Sequence, residues 1–145
     1  MQKNEAMQVL AILKAAYPNS YRNITPEDAK ATAAVWAMQF ADISVDVVLL
    51  AVNKCISTSQ FPPAISEVRD KLSAVSWEAT EMLDEERREV AMGMPPSLTP
   101  AKRQMLERIG AETRGYRYAK NTGPTLAQML PEGPRADRLE GWGAV

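Results

Sequence analysis

Histidine is absent from this sequence, and cysteine occurs once, at Cys55, in 145 residues. These shortages exclude a disulfide framework, a zinc site built from Cys and His, and nucleophilic catalysis by a Cys–His or Ser–His pair. The hydroxyl run at residues 57–59 has no histidine to activate it. Cys55 falls on an apolar stripe, which is typical of a buried structural thiol, and a lone cysteine suits a reducing compartment.

Glycine is absent from the first 92 residues, because all seven glycines lie between Gly93 and Gly143. Six of the ten prolines also fall between Pro95 and Pro134. A phosphate-binding loop requires glycines, so the first part of the chain has no such loop. Since glycine and proline both oppose regular structure, we expect a folded head and then a Gly/Pro-punctuated tail with short helices at 92–145. A chain that ends near Met92 should then fold by itself.

A charge excess of one sign and a long apolar run are also lacking. The chain carries 17 basic and 18 acidic residues, a net charge of −1. This balance excludes a uniformly basic nucleic-acid coat. The longest apolar segment, Val45 to Val52, is interrupted by Asp46 and is far shorter than the roughly 20 residues that span a bilayer. The N-terminus does not resemble a signal peptide, so we expect a cytoplasmic protein without membrane attachment.

Apolar residues in the first 75 positions recur at helical spacing and predict four helices and no strand. Thr25-Pro26 predicts the start of the second helix, because threonine is a good N-cap and proline suits the first helical position. Ser44 is expected to cap the third helix, and Phe61-Pro62-Pro63 precedes the fourth. The predicted fold class is all-α: a small bundle of about four helices, followed by a poorly ordered, partly helical C-terminal tail.

The fourth helix sets the predicted domain boundary. Its apolar seam starts at Ile65, continues through Ala79 and Met82, and meets Glu86 at the next seam position. We therefore expect a helical N-terminal domain at 1–75, with the fourth helix extending to about residue 91 and its last third solvated.

An acidic run on this helix is the main candidate for catalysis or Mg²⁺ binding. It consists of Glu81, Asp84, Glu85 and Glu86. Carboxylates that do acid–base work need a concave, partly desolvated site, which a helix face rarely offers. The favoured interpretation is a solvated helix face. The sequence thus predicts no catalytic, metal-binding or cofactor-binding residue, no small-molecule substrate and no enzymatic activity.

The segment 102–120 carries six basic and two acidic residues. A predicted helix that starts at Thr99-Pro100 occupies the first part of this segment. At its end, cations and aromatic residues alternate: Arg114, Tyr116, Arg117, Tyr118 and Lys120. Such a pattern can contact phosphates and stack on bases, which predicts weak direct nucleic-acid binding. The alternative is a solubilising tail with incidental tyrosines.

Apolar residues persist in the tail, where disordered segments usually have few. They are Leu126, Met129, Leu130, Leu139 and Trp142. Leu126 to Leu130 fit a short helix that lies in a partner's groove. These five residues are the predicted partner-binding residues. The alternative is a tail that folds back on its own domain, and the sequence leaves both open.

Three blocks in the first 75 residues form a spaced series: Ala15-Ala16-Tyr17-Pro18, then Trp36 to Asp42, then Phe61 to Val68. Together they resemble the N-terminal domain of the phage replicative-helicase loader/inhibitor family. The resemblance covers about half of the chain. It implies a small all-helical N-terminal domain, followed by a C-terminal segment that is poorly ordered alone.

The resemblance also implies a function. Members of that family bind the hexameric phage helicase, restrain it and hand it to an origin-bound initiator protein, mainly through the C-terminal part. We therefore expect a non-enzymatic adaptor in the cytoplasm of a bacterial host cell, with a replicative helicase and an initiator as partners. The alternative is a DNA-binding replication or packaging accessory protein that uses residues 102–120.

Overall fold

The computed structural model describes residues 1–117. Five α-helices and one short 3-10 helix occupy this part: α1 (Lys3–Ala16), α2 (Pro26–Gln39), α3 (Val45–Thr58), α4 (Ile65–Ala91), α5 (Pro100–Glu112) and the 3-10 helix Arg114–Tyr116. No strand occurs within these residues. The predicted all-α class is confirmed.

The helix starts follow the local sequence. Thr25 accepts a hydrogen bond from the Asp28 backbone N–H at 3.1 Å, and Thr99 accepts one from the Lys102 backbone N–H at 3.2 Å. Each threonine precedes a proline at the first helical position, where the missing N–H costs nothing. Ser44 is the N-cap of α3 but makes no capping hydrogen bond.

The core is centred on α3, which packs against α1 and α4, with α2 packed on α1 and α5 on α4. Its largest fully buried side chains include Phe40, Leu13, Ile43 and Leu72. Trp36 is 5% exposed, and its ring centroid lies 5.8 Å from that of Phe40, so the predicted burial of Trp36 is confirmed. Cys55 is buried as well.

The core continues past residue 92. The chain turns after α4 at Gly93, whose φ of +86° lies in the left-handed region that glycine adopts without strain. It then returns as α5, which contributes Leu106 and Ile109 to the same core as α1 to α4. A chain that ends near Met92 would lack these two side chains, so the expectation that it folds by itself loses its structural basis.

Candidate interaction surfaces

The five predicted partner-binding residues lie outside the described residues. They are Leu126, Met129, Leu130, Leu139 and Trp142, and two members of the predicted nucleic-acid segment, Tyr118 and Lys120, lie there too. Their roles stay predictions. The other three members, Arg114, Tyr116 and Arg117, belong to the 3-10 helix and the residue after it.

Arg117 is held against α4 by its backbone and its side chain. Its carbonyl oxygen accepts hydrogen bonds from the Ser73 hydroxyl at 3.3 Å and the Trp77 indole N–H at 3.2 Å. Its Nε donates to the Ser76 hydroxyl at 3.1 Å, and its guanidinium carbon lies 5.9 Å from the centroid of the Trp77 ring. A cation over an indole face is attracted by the ring quadrupole. Arg117 therefore fixes the end of the described chain on α4.

Tyr116 packs against the core and is half-buried. Burial raises the pKa of its phenol, and the negative charge of Asp42 raises that pKa further, whereas the positive charge of Arg69 lowers it. A ring in this position is not presented for stacking on a nucleobase. Of Arg114, Tyr116 and Arg117, Arg114 alone is exposed, which weakens the support for nucleic-acid binding by this alternating stretch.

Most of the last third of α4 is solvated as expected, but Glu86 is not, which corrects the expectation at this one position. Glu86 is 7% exposed, and its carboxylate accepts hydrogen bonds from the Arg103 Nε at 2.6 Å and the Leu98 backbone N–H at 2.7 Å. The Arg103 hydrogen bond lowers the pKa of Glu86, against the opposing effect of burial. The apolar seam of α4 ends at Glu86, where Arg103 of α5 pairs with the carboxylate.

A second polar contact joins α5 to the start of α3. The Arg108 guanidinium pairs with the Asp46 carboxylate, and the hydrogen bond between them lowers the pKa of Asp46. The Ser44 hydroxyl hydrogen-bonds the Glu112 carboxylate, which explains why it does not cap its own helix. These contacts fix α5 across both α3 and α4.

An apolar groove of about 270 Å³ lies between α3, α4 and α5. Its floor is formed by apolar side chains of all three helices: Leu50, Val75, Ala79, Met82, Met105, Leu106 and Ile109. One rim carries the ion pair between Lys54 and Glu78, with 2.8 Å between nitrogen and oxygen. A groove of this size and lining can hold an apolar side chain. Sequence reasoning missed it because three separate helices build it.

The remaining acidic residues of α4 form no ligand set. Asp84 pairs with Arg87 at 3.2 Å on the surface, and Glu81 and Glu85 are exposed. Among residues 1–117, no group of three or more His, Cys, Asp or Glu side chains has the geometry to hold a metal ion. None of the helices in this part of the chain combines the length and the apolar character that crossing a bilayer requires.

Sequence reasoning also missed the link between Glu86 and Arg103. The available signal was an acidic residue at a seam position, followed by a basic residue in the next predicted helix. In a hydrophobic pattern, an acidic residue at a seam position indicates the end of the buried stripe. A nearby cation, however, allows such a residue to be buried.

Residues 1–69 match the family model for the N-terminal domain of gp39P, a phage helicase loader/inhibitor. The matched segment contains α1, α2, α3 and the first residues of α4. Neither a curated protein nor a solved structure shows significant similarity to the chain.

Proposed function

We propose that this chain, whose residues 1–69 match the family model for the N-terminal domain of gp39P, a phage helicase loader/inhibitor, binds a replicative hexameric helicase, restrains it and passes it to an origin-bound initiator. The family match carries the proposal. In this proposal the protein acts only by binding other macromolecules. It uses no cofactor, has no small-molecule substrate and catalyses no reaction. Its place of action is the cytoplasm of the bacterial host.

The two parts of the chain have different tasks in this proposal. The helical part is a rigid support, because α5 is fixed to α3 and α4 by apolar packing and by two sets of polar contacts. The apolar residues Leu126, Met129 and Leu130 supply the main helicase contact. A segment that becomes ordered on binding can wrap a large partner, at the cost of some affinity.

A binding experiment with the full chain tests the proposal. The helicase is the replicative helicase of the same phage, and the measurements are its dissociation rate from the adaptor and its ATPase rate. We expect complex formation and a changed ATPase rate. Replacing Leu126, Met129 and Leu130 together with alanine should weaken binding about tenfold or more, mainly through faster dissociation.

The matched control replaces three exposed apolar residues near the α4–α5 turn with alanine. These are Val90, Met92 and Met94, which are 46%, 78% and 52% exposed. The control should bind as the wild type does. No binding to the helicase, together with DNA binding that weakens steeply with salt, would contradict the proposal and favour a nucleic-acid-binding protein.

A further inference from the structure

Ion pairs frame the apolar groove between α3, α4 and α5. Asp46, Leu50 and Lys54 follow one another at one-turn spacing along α3, which places them in one row. At one end of this row Asp46 pairs with Arg108 of α5, and at the other end Lys54 pairs with Glu78 of α4. Leu50, between them, lines the groove. Because the two pairs tie α3 to two different helices, the space beside Leu50 is fixed by the fold.

The groove leaves apolar side chains partly exposed to water. Its lining includes Val75, Ala79 and Ile109, which are buried. Met82 of α4 and Met105 of α5 line it as well and are 37% and 43% exposed. Methionine is flexible and polarisable, which suits surfaces that adapt to a partner's side chain. Covering such side chains is favourable, so the groove favours an apolar occupant.

The charged residues of the groove favour an acidic neighbour for that occupant. They are Lys54, Glu78 and Lys102, and the first two pair with each other. Lys102 is exposed and makes no ion pair with any other residue between 1 and 117. The groove therefore carries one positive charge that the described chain does not compensate. A carboxylate on the partner would complement this charge.

The C-terminal tail leaves the described chain close to the groove. The Arg117 carbonyl oxygen is hydrogen-bonded by Ser73 and Trp77 of α4. Ala79, which lines the groove, comes six positions after Ser73, about 9 Å along the helix axis. Leu126 comes nine positions after Arg117, a stretch that spans up to about 30 Å when extended. A partner bound by the tail is thus held beside the groove, at a raised effective concentration.

We infer that the groove is a second contact for the helicase and receives an apolar side chain of the helicase that has a carboxylate beside it, with the carboxylate paired to Lys102. The inference rests on the proposed function and adds a rigid contact to the one made by the tail. All lining residues except Leu50 and Lys54 lie beyond residue 69, where the family match ends. The contact is therefore a feature of this chain that the match does not describe.

Thiol labelling of the full chain, with and without the helicase of the same phage, tests the inference. The reporter is a Met105→Cys variant. The matched control is Met38→Cys, on the outer side of α2, which no described element covers and where Met38 is 74% exposed. The native Cys55 is 2% exposed and gives a slow background. Saturating helicase should slow labelling of Met105→Cys about tenfold, equivalent to about 1.4 kcal/mol, and should leave Met38→Cys unchanged. Mass spectrometry of this chain measures both rates.

The outcomes separate the groove from the proposed function. An unchanged rate at Met105→Cys in a complex that has formed would overturn the inference and leave the proposed function standing, whereas the absence of any complex would overturn both. Without helicase, the rate at Met105→Cys should not depend on protein concentration, because a second copy would otherwise be the occupant. Replacing Leu126, Met129 and Leu130 with alanine should not change that rate either. A faster rate would make the tail of this chain the occupant.

Charge reversal at Lys102 tests the acidic group of the partner separately. Lys102 is the third residue of α5 after the N-cap Thr99, a position where glutamate completes a capping box and keeps the helix start. Lys102→Glu should slow association with the helicase about threefold or more at low salt, and the difference should shrink as salt is raised. The control Lys30→Glu, at an exposed position of α2, makes the same change in net charge and should slow association far less. Equal slowing by the two variants would contradict a carboxylate at the groove.

Discussion

Helices α2 and α3 have the same length of 14 residues, but their surroundings differ. α3 lies against α1 and α4 and is joined to α5 by one ion pair, between Asp46 and Arg108. It buries five side chains: Val47, Val48, Ala51, Val52 and Cys55. α2 packs mainly on α1 and buries two, Ala33 and Trp36. The described neighbours of α3 account for its apolar residues. The described neighbours of α2 account for the apolar residues on one side only. An apolar pattern thus predicts that a helix side is in contact, but not which element contacts it.

The largest expected effect comes from removing α5, which uncovers the side of α4 on which it packs and leaves α4, like α2, with an apolar side that no element covers. A chain that ends after Met92 loses the burial of Leu106 and Ile109, worth about 3–6 kcal/mol together. Small domains have only about 5–15 kcal/mol of stability. We expect this chain to lose most of its cooperative melting, measured by circular dichroism, whereas a chain that ends after Arg117 keeps it. Equal melting of the two would mean that α5 is not part of the core.

The inner side of α2 should give the next largest effect. Trp36→Ala should lower the free energy of unfolding by about 3–5 kcal/mol, because a large buried ring leaves a cavity. The control is Ile12→Ala on α1, where the side chain is 38% exposed and the change should stay within about 0.5 kcal/mol. Urea denaturation measures both. A Trp36→Ala protein as stable as the wild type would show that the core does not depend on this side of α2.

The polar contact that holds α5 in place should give the smallest effect, with a defined pH dependence. The folded pKa of Glu86 is lowered, chiefly by the Arg103 hydrogen bond. Such a group stabilises the fold above the ordinary glutamate pKa, about 4.3, and loses this contribution as pH falls through the lowered value. Glu86→Gln should therefore be less stable than wild type at neutral pH, and the difference should shrink in acid.

Urea midpoints between neutral pH and about pH 3 measure this difference. Glu81→Gln on the same helix is the control, because Glu81 is exposed, and it should show no such trend. A difference between Glu86→Gln and wild type that is independent of pH would mean that the charge of Glu86 does not contribute.

The sequence predicted those features that depend on neighbouring residues along the chain. The Thr-Pro starts at Thr25 and Thr99 and the inward position of Trp36 all follow from local spacing. Features that depend on pairing between distant segments were not predictable in the same way. The burial of Glu86 depends on Arg103, 17 positions further on, and a hydrophobic pattern contains no information about that partner.

The basic segment shows the same limit for the candidate site. Alternating cations and aromatic rings predicted contacts with nucleic acid, but Tyr116 packs on the core and Arg117 lies on Trp77. The same residue types serve stacking and cation–π contacts within a protein and with a nucleobase. Local composition therefore indicates the kind of contact that such residues make, whereas the fold determines whether the partner is the protein itself or a nucleic acid.

The length of α4 couples the N-terminal domain to the rest of the chain mechanically. The family match ends at residue 69, just after α4 has begun at Ile65, and the helix continues without interruption to Ala91. One residue inserted after this point would turn everything beyond it by about 100° and shift it by about 1.5 Å along the axis. Arg108 of α5 would then be carried away from its partner Asp46 on α3. A chimaera of two relatives must therefore keep the number of residues along α4 unchanged. The loop at 59–64 is a safer junction for it than residue 69, where the family match ends.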